Sequence, residues 1–124
     1  MKQLIFTLLL AGTAAIAQAQ QPAWKELDDY HSVMAQTFHP SEEGNLQPIK
    51  KRSGELAAKA KALKKSAIPA AYQKEGVKKS LDLLAKESKA LDKMVRKKKP
   101  DADITKSLAA LHDRFHEVME KCHH

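Results

Sequence analysis

Two histidines near the end of the chain have the spacing of a metal chelate. His112 and His116 are four residues apart, which places both imidazoles on one side of an α-helix. Imidazole nitrogens are common ligands of zinc, copper and nickel. Because such a pair also arises by chance on surface helices, a third ligand is needed to make it a convincing metal site.

His31 is the predicted third ligand. In the segment WKELDDYHSVMAQTF, residues 24–38, large side chains recur at intervals of three and four residues, which is typical of one buried helix face. His31 is at the centre of that predicted face, where an aliphatic side chain would pack more simply. The alternative is that His31 is a hydrogen-bonded core residue and that the other two histidines are only solvated. Additional ligands or hydrogen-bond acceptors of the predicted site are Asp28, Met34 and Glu120.

Four amphipathic helices are predicted to position these side chains. The first covers residues 24–38 and is expected to end at Pro40 and Gly44. The other three have apolar positions at the same spacing over residues 46–63, 77–95 and 104–122. Short connections make successive helices antiparallel, so we predict an all-α, up-down-up-down antiparallel four-helix bundle. In that register His31 lies near the level of His116, and Met34 lies within about one turn of His112.

Residues 1–19 have the pattern of a signal peptide. Lys2 precedes an apolar run over residues 4–16, and small residues at Ala17 and Ala19 suit cleavage before Gln20. The run is too short to favour a membrane span. We therefore expect an exported protein, periplasmic or secreted, with one domain over residues 20–124. Cys122 is the only cysteine, so no internal disulfide is predicted.

Charge divides the predicted mature chain into two parts. Residues 50–99 have a formal charge of +12, whereas the rest of residues 20–124 has −6. The histidines of the predicted site lie in the acidic part, which attracts cations. The lysines of the second and third helices could bind an anionic membrane surface or an acidic protein partner, or they could only solubilise these helices. Nucleic acid is not expected, since few aromatic residues lie among the lysines.

Weaker candidate ligands lie at the two ends of the predicted bundle: His39, Glu42 and Glu43 in the predicted first loop, and Cys122 at the opposite end. No nucleophile elbow, phosphate-binding loop or paired-carboxylate motif occurs, so the sequence does not predict an enzyme. The prediction is a bundle that binds a transition-metal ion as sensor, carrier or buffer. A purely structural or interaction bundle is the alternative.

The segment LAALHDRF, residues 108–115, resembles the last helix of cytochromes c-prime and of their soluble b-type four-helix relatives. Leu108 and Leu111 occupy the positions of the haem-attachment cysteines, which excludes covalent attachment. The resemblance implies non-covalent haem b between Met34 and His112. Room for the porphyrin would come from small residues of the second and third helices, namely Ser53, Gly54 and Ser88.

Overall fold

The computed structural model describes residues 22–123, so the predicted signal peptide lies outside the described part. The helices are α1 (Lys25–Glu42), α2 (Gln47–Lys65), α3 (Val77–Arg96) and α4 (Asp101–His123), with a short 3-10 turn at Ala70–Tyr72. Each helix packs against the next one in the chain, and α1 contacts α4 to close the ring. This confirms the predicted four-helix bundle. None of the helices in residues 22–123 has the length and apolar character that a membrane span requires.

The apolar positions predicted for α2, α3 and α4 form the core. All of them are buried except Val95, which is partly buried at the end of α3. Pro48 lies in the first turn of α2, where its missing amide hydrogen removes no helical hydrogen bond. The continuous leucine-rich faces of these helices therefore determined their orientation in the bundle.

The buried face of α1 is rotated from the predicted one, and Phe38, which was expected on that face, is only partly buried. His31 is exposed, and Tyr30 is completely buried in its place. Small hydroxyl residues complete this face, because they satisfy their own hydrogen bonds within the helix. The Thr37 hydroxyl, for example, donates to the Val33 carbonyl oxygen at 2.9 Å. The buried positions of α1 are Leu27, Tyr30, Val33, Met34, Thr37 and Ser41.

Tyr30 joins three helices at the centre of the bundle. Its hydroxyl lies 2.9 Å from the Ser88 hydroxyl of α3, and its ring centroid lies 5.2 Å from that of Phe115 in α4. In residues 22–123 no buried side-chain nitrogen or oxygen lacks a hydrogen-bond partner. The core therefore contains polar groups without the cost of leaving them unpaired.

The prediction that α1 ends at Pro40 is wrong. The helix continues to Glu42, and the chain reverses at Gly44, whose φ of +85° is left-handed. The Gly44 amide donates to the Ser41 carbonyl at 3.0 Å, and the Asn45 amide donates to the Pro40 carbonyl at 2.9 Å. These two bonds define a Schellman motif. Pro40 has no amide hydrogen to donate within the helix, but its carbonyl still accepts bonds from the amides of Glu43 and Asn45.

The end of the bundle near the start of α1 is closed by aromatic residues. Trp24 and Tyr72 are both buried, and their rings stack with centroids 5.8 Å apart. The Trp24 indole donates to the Ser66 hydroxyl at 2.9 Å. The connection between α2 and α3 is therefore packed onto the core through Tyr72.

Candidate metal site

An open groove of about 500 Å³ runs between α1 and α4. We call it the histidine groove. Its walls are largely apolar, and its potential ligand atoms come from four imidazoles, one carboxylate and two thioethers: those of His31, His39, His112, His116, Glu42, Met34 and Met119. The groove thus brings together the three histidines predicted as ligands and two residues from the predicted loop cluster.

The His112–His116 pair forms the α4 side of the groove. The two rings lie edge to face, with centroids 4.4 Å apart, as expected for residues one turn apart on a helix. Phe38 stacks on His112 at 3.8 Å with nearly parallel rings. Imidazole lone pairs lie in the ring plane, so this stacking restrains the His112 ring without covering its nitrogens.

His31 extends this pair towards one end of the groove. Its ring centroid lies 5.3 Å from that of Phe115, the residue before His116. The predicted level of His31 is therefore correct, although its burial was not. Because its side chain is exposed, His31 retains rotamer freedom that a core residue would lack.

His39 and Glu42 lie towards the other end of the groove. The His39 Nδ1 atom is 3.5 Å from the Glu42 Oε1 atom, and both side chains are exposed. They reach the groove because α1 continues through Pro40 instead of ending before it. The spacing of His31, Ala35 and His39 was the signal in the sequence, since residues four apart lie along one side of a helix.

The pKa of His112 is lowered, first because its ring is partly buried and then because His116 lies nearby. The carboxylates of Asp113 and Glu42 oppose the shift, while His39 adds to it. A lowered pKa makes the imidazole neutral over a wider pH range. Neutral imidazole is the form that binds a metal ion.

The remaining predicted ligands do not line the histidine groove. Asp28 and Cys122 lie beside a different groove, next to Trp24 and Tyr72. Cys122 is almost completely buried, and burial raises the pKa of its thiol. Glu43 and Glu120 are exposed and line neither groove. Met119, which sequence reasoning missed, lies three residues after His116 and does line the histidine groove.

In residues 22–123, no three His, Cys, Asp or Glu side chains stand close enough together to hold one ion as they are placed. His112 and His116 form a close pair, with ring centroids 4.4 Å apart. A third nitrogen ligand from α1 therefore requires rotation of an exposed side chain, either His31 or His39.

The two residues proposed as haem ligands both line the histidine groove, although Met34 is 1% exposed. The small residues expected to make room for a porphyrin do not line it. Ser53 donates to Asp92 at 2.8 Å, the Ser88 hydroxyl meets that of Tyr30, and Gly54 is exposed. The space expected beside Ser88 is thus occupied by the Tyr30 side chain.

No family model, curated protein or solved structure matches this chain.

Proposed function

We propose that this chain is an exported four-helix-bundle protein that binds a transition-metal ion in the histidine groove, as a sensor, carrier or buffer. The observation that carries the proposal is the lining of one open groove by four imidazoles and a carboxylate from the first and last helices. These are the ligand types that zinc, copper and nickel share.

The proposed site is built on His112 and His116. Their rings face the same groove one helical turn apart, so their nitrogens can bind one ion with little rearrangement of α4. His31 is the third ligand in our proposal, since it lies beside Phe115 at the His116 end. His39, at the His112 end of the groove, is the alternative third ligand. Either choice would connect α1 to α4 through the ion.

Two thioethers give the proposed site a way to favour copper in its reduced state. Met34 and Met119 line the same groove as the histidines, and thioether sulfur is a soft ligand that suits copper(I) better than zinc or nickel. Zinc or nickel would use imidazoles and the Glu42 carboxylate instead. Copper(I) binding that depends on Met119 would therefore identify the metal.

The first test is metal analysis of untagged protein purified from its native compartment, followed by calorimetric titration of residues 20–124 with zinc and copper(I). We expect His112→Ala and His116→Ala each to weaken binding by about tenfold or more, which corresponds to about 1.4 kcal/mol. His123→Ala is the matched control, because His123 is exposed on the same helix but lies beside the other groove. Equal losses in all three variants, or no binding by the parent, would refute the proposed site.

The third ligand is tested by variants of α1. We expect His31→Ala to weaken binding severalfold or more and His39→Ala to have the smaller effect. The reverse order would place the third ligand at the His112 end. If neither variant differs from the parent while both α4 variants fail, only a local chelate on α4 remains.

Non-covalent haem b is the alternative, and it is favoured by the common position of Met34 and His112 on this groove. Added haem should then give a stoichiometric low-spin complex, and Met34→Leu should make it high-spin because iron loses its sixth ligand. Leucine keeps nearly the same volume, so this variant should remain folded. A parent protein that binds haem no better than a Met34→Leu, His112→Ala double variant would eliminate the alternative.

A further inference from the structure

A second groove, of about 660 Å³, lies between α2 and α3. We call it the basic groove. Its apolar lining consists of three alanines, Ala57, Ala58 and Ala85. Its charged lining consists of one aspartate, Asp82, and five lysines: Lys61, Lys64, Lys65, Lys86 and Lys89. Both helices supply lysines, so the positive charge borders the apolar strip from both sides.

Most of this charge is not neutralised by the protein. Lys64 approaches Asp82 at 3.8 Å, and the other four lysines form no ion pair within residues 22–123. Elsewhere on the same two helices, Arg52 pairs with Glu55 and Arg96 with Asp92. The basic groove thus concentrates positive charge that remains available to a binding partner.

The alanines determine which shape of partner fits. Small residues between two antiparallel helices let a third helix approach closely, and the α2 wall of the groove, from Ala57 to Lys65, spans roughly two helical turns. Lysines on both sides can pair with acidic residues that flank an apolar stripe on that third helix. This is the helix-in-groove mode of recognition.

We propose that the basic groove binds an acidic amphipathic helix of a partner protein, with its apolar stripe on the alanines and its carboxylates against the lysines. This proposal does not depend on metal binding. An anionic lipid surface is the rival occupant. It is less favoured because no large apolar or aromatic side chain lines the groove, whereas interfacial membrane binding buries such side chains among the lipids.

The test uses the full mature chain, residues 20–124, and a capped synthetic peptide of about 18 residues, long enough to form a helix when bound. The peptide has glutamates on both sides of a leucine and alanine stripe, and a second peptide has glutamine in place of every glutamate. We expect the glutamate peptide to shift the methyl NMR signals of Ala57, Ala58 and Ala85. The glutamine peptide should bind at least about tenfold more weakly, since it lacks the charges that pair with lysine.

Charge-matched variants locate the binding surface. Lys61→Glu with Lys89→Glu changes the groove, whereas Lys51→Glu with Lys79→Glu changes the net charge equally at exposed positions of the same helices outside it. We expect the first pair to weaken peptide binding at least about tenfold more than the second. Equal effects would overturn the proposal, because they would show attraction to the overall charge alone.

Ala58→Gln separates close docking from loose electrostatic contact. Ala58 is exposed, and glutamine suits a helix, so the variant should fold while its longer side chain obstructs the alanine strip. Peptide affinity should fall severalfold or more, and unchanged affinity would contradict the proposed docking. Binding to vesicles that contain phosphatidylglycerol, without binding to the glutamate peptide, would assign the groove to lipid and overturn the proposal.

Discussion

At the scale of single residues, His112 is partly buried and nevertheless borders an open groove. Burial and the neighbouring His116 lower its pKa, so the folded protein binds a proton at this position less readily than the unfolded chain does. In the metal-free protein, the contribution of His112 to stability should therefore be lost as pH falls from about 6.5, the ordinary histidine value, towards its lower folded pKa.

We expect the free energy of unfolding by urea to fall over that pH range and His112→Gln to flatten part of the decrease. His123→Gln, which changes an exposed histidine of the same helix, should leave the decrease unchanged. Identical pH profiles for the parent and His112→Gln would show that the neutral form of His112 is not favoured by folding.

The contact between Tyr30 and Ser88 is a second residue-scale feature. Because their hydroxyls are buried and 2.9 Å apart, a double-variant cycle with Tyr30→Phe and Ser88→Ala should give a coupling of about 1 kcal/mol. Chemical denaturation of the four proteins measures it. If the two substitutions change the free energy of unfolding additively, each hydroxyl must find an equally good partner when the other is removed. Ser88, for example, could donate to a carbonyl of its own helix.

At the scale of the helices, two Schellman motifs end α1 and α3, but they place different residues in the left-handed conformation. α1 uses Gly44, whereas α3 uses Lys98 at a φ of +56°. The Lys98 amide donates to the Val95 carbonyl at 3.0 Å, and the Lys99 amide donates to the Met94 carbonyl at 3.1 Å. A lysine in this conformation costs about 1 kcal/mol relative to glycine.

Lys98→Gly should therefore raise the free energy of unfolding by about 1 kcal/mol. The midpoint of urea unfolding should increase without a change in slope. Lys97→Gly is the matched control, since Lys97 has an ordinary φ of −84° and glycine there should give no gain. Equal effects of the two substitutions would show that the left-handed conformation is not the source of the gain.

At the scale of the whole molecule, the proposed metal site lies on a bundle whose core is complete without an ion. The core side chains of all four helices are buried, while the proposed ligands His31 and His116 are exposed. Removal of bound metal by EDTA should therefore leave the helical circular dichroism unchanged and lower the melting temperature only to that of the metal-free protein. Saturating zinc should raise the melting temperature, because the ion binds the folded state preferentially. Unfolding on treatment with EDTA would instead indicate a structural metal.

The helices α2, α3 and α4 were predictable because each has one continuous apolar face. Leu81, Leu84 and Leu91 of α3 are buried as their spacing predicts, since no other face of that helix could cover the core equally well. The same regularity predicted the antiparallel bundle, because short connections allow few alternatives. The sequence also predicted His112 and His116 as a pair, because a spacing of four residues is enough to place both side chains on one side of a helix.

The orientation of α1 and the full composition of the histidine groove were decided by tertiary structure. In the sequence, Leu27 and Met34 fit a face that includes His31 as well as one that includes Tyr30. The bundle buries Tyr30 against Phe115 of α4 and pairs its hydroxyl with Ser88, 58 residues away, and a pattern within α1 contains no information about those partners. Likewise, His39 and Glu42 join the groove because α1 continues past Pro40. Proline disfavours the interior of a helix, but Thr37 and Ser41 on either side of Pro40 are buried, and this burial requires the packing that forms once α2 turns back against α1.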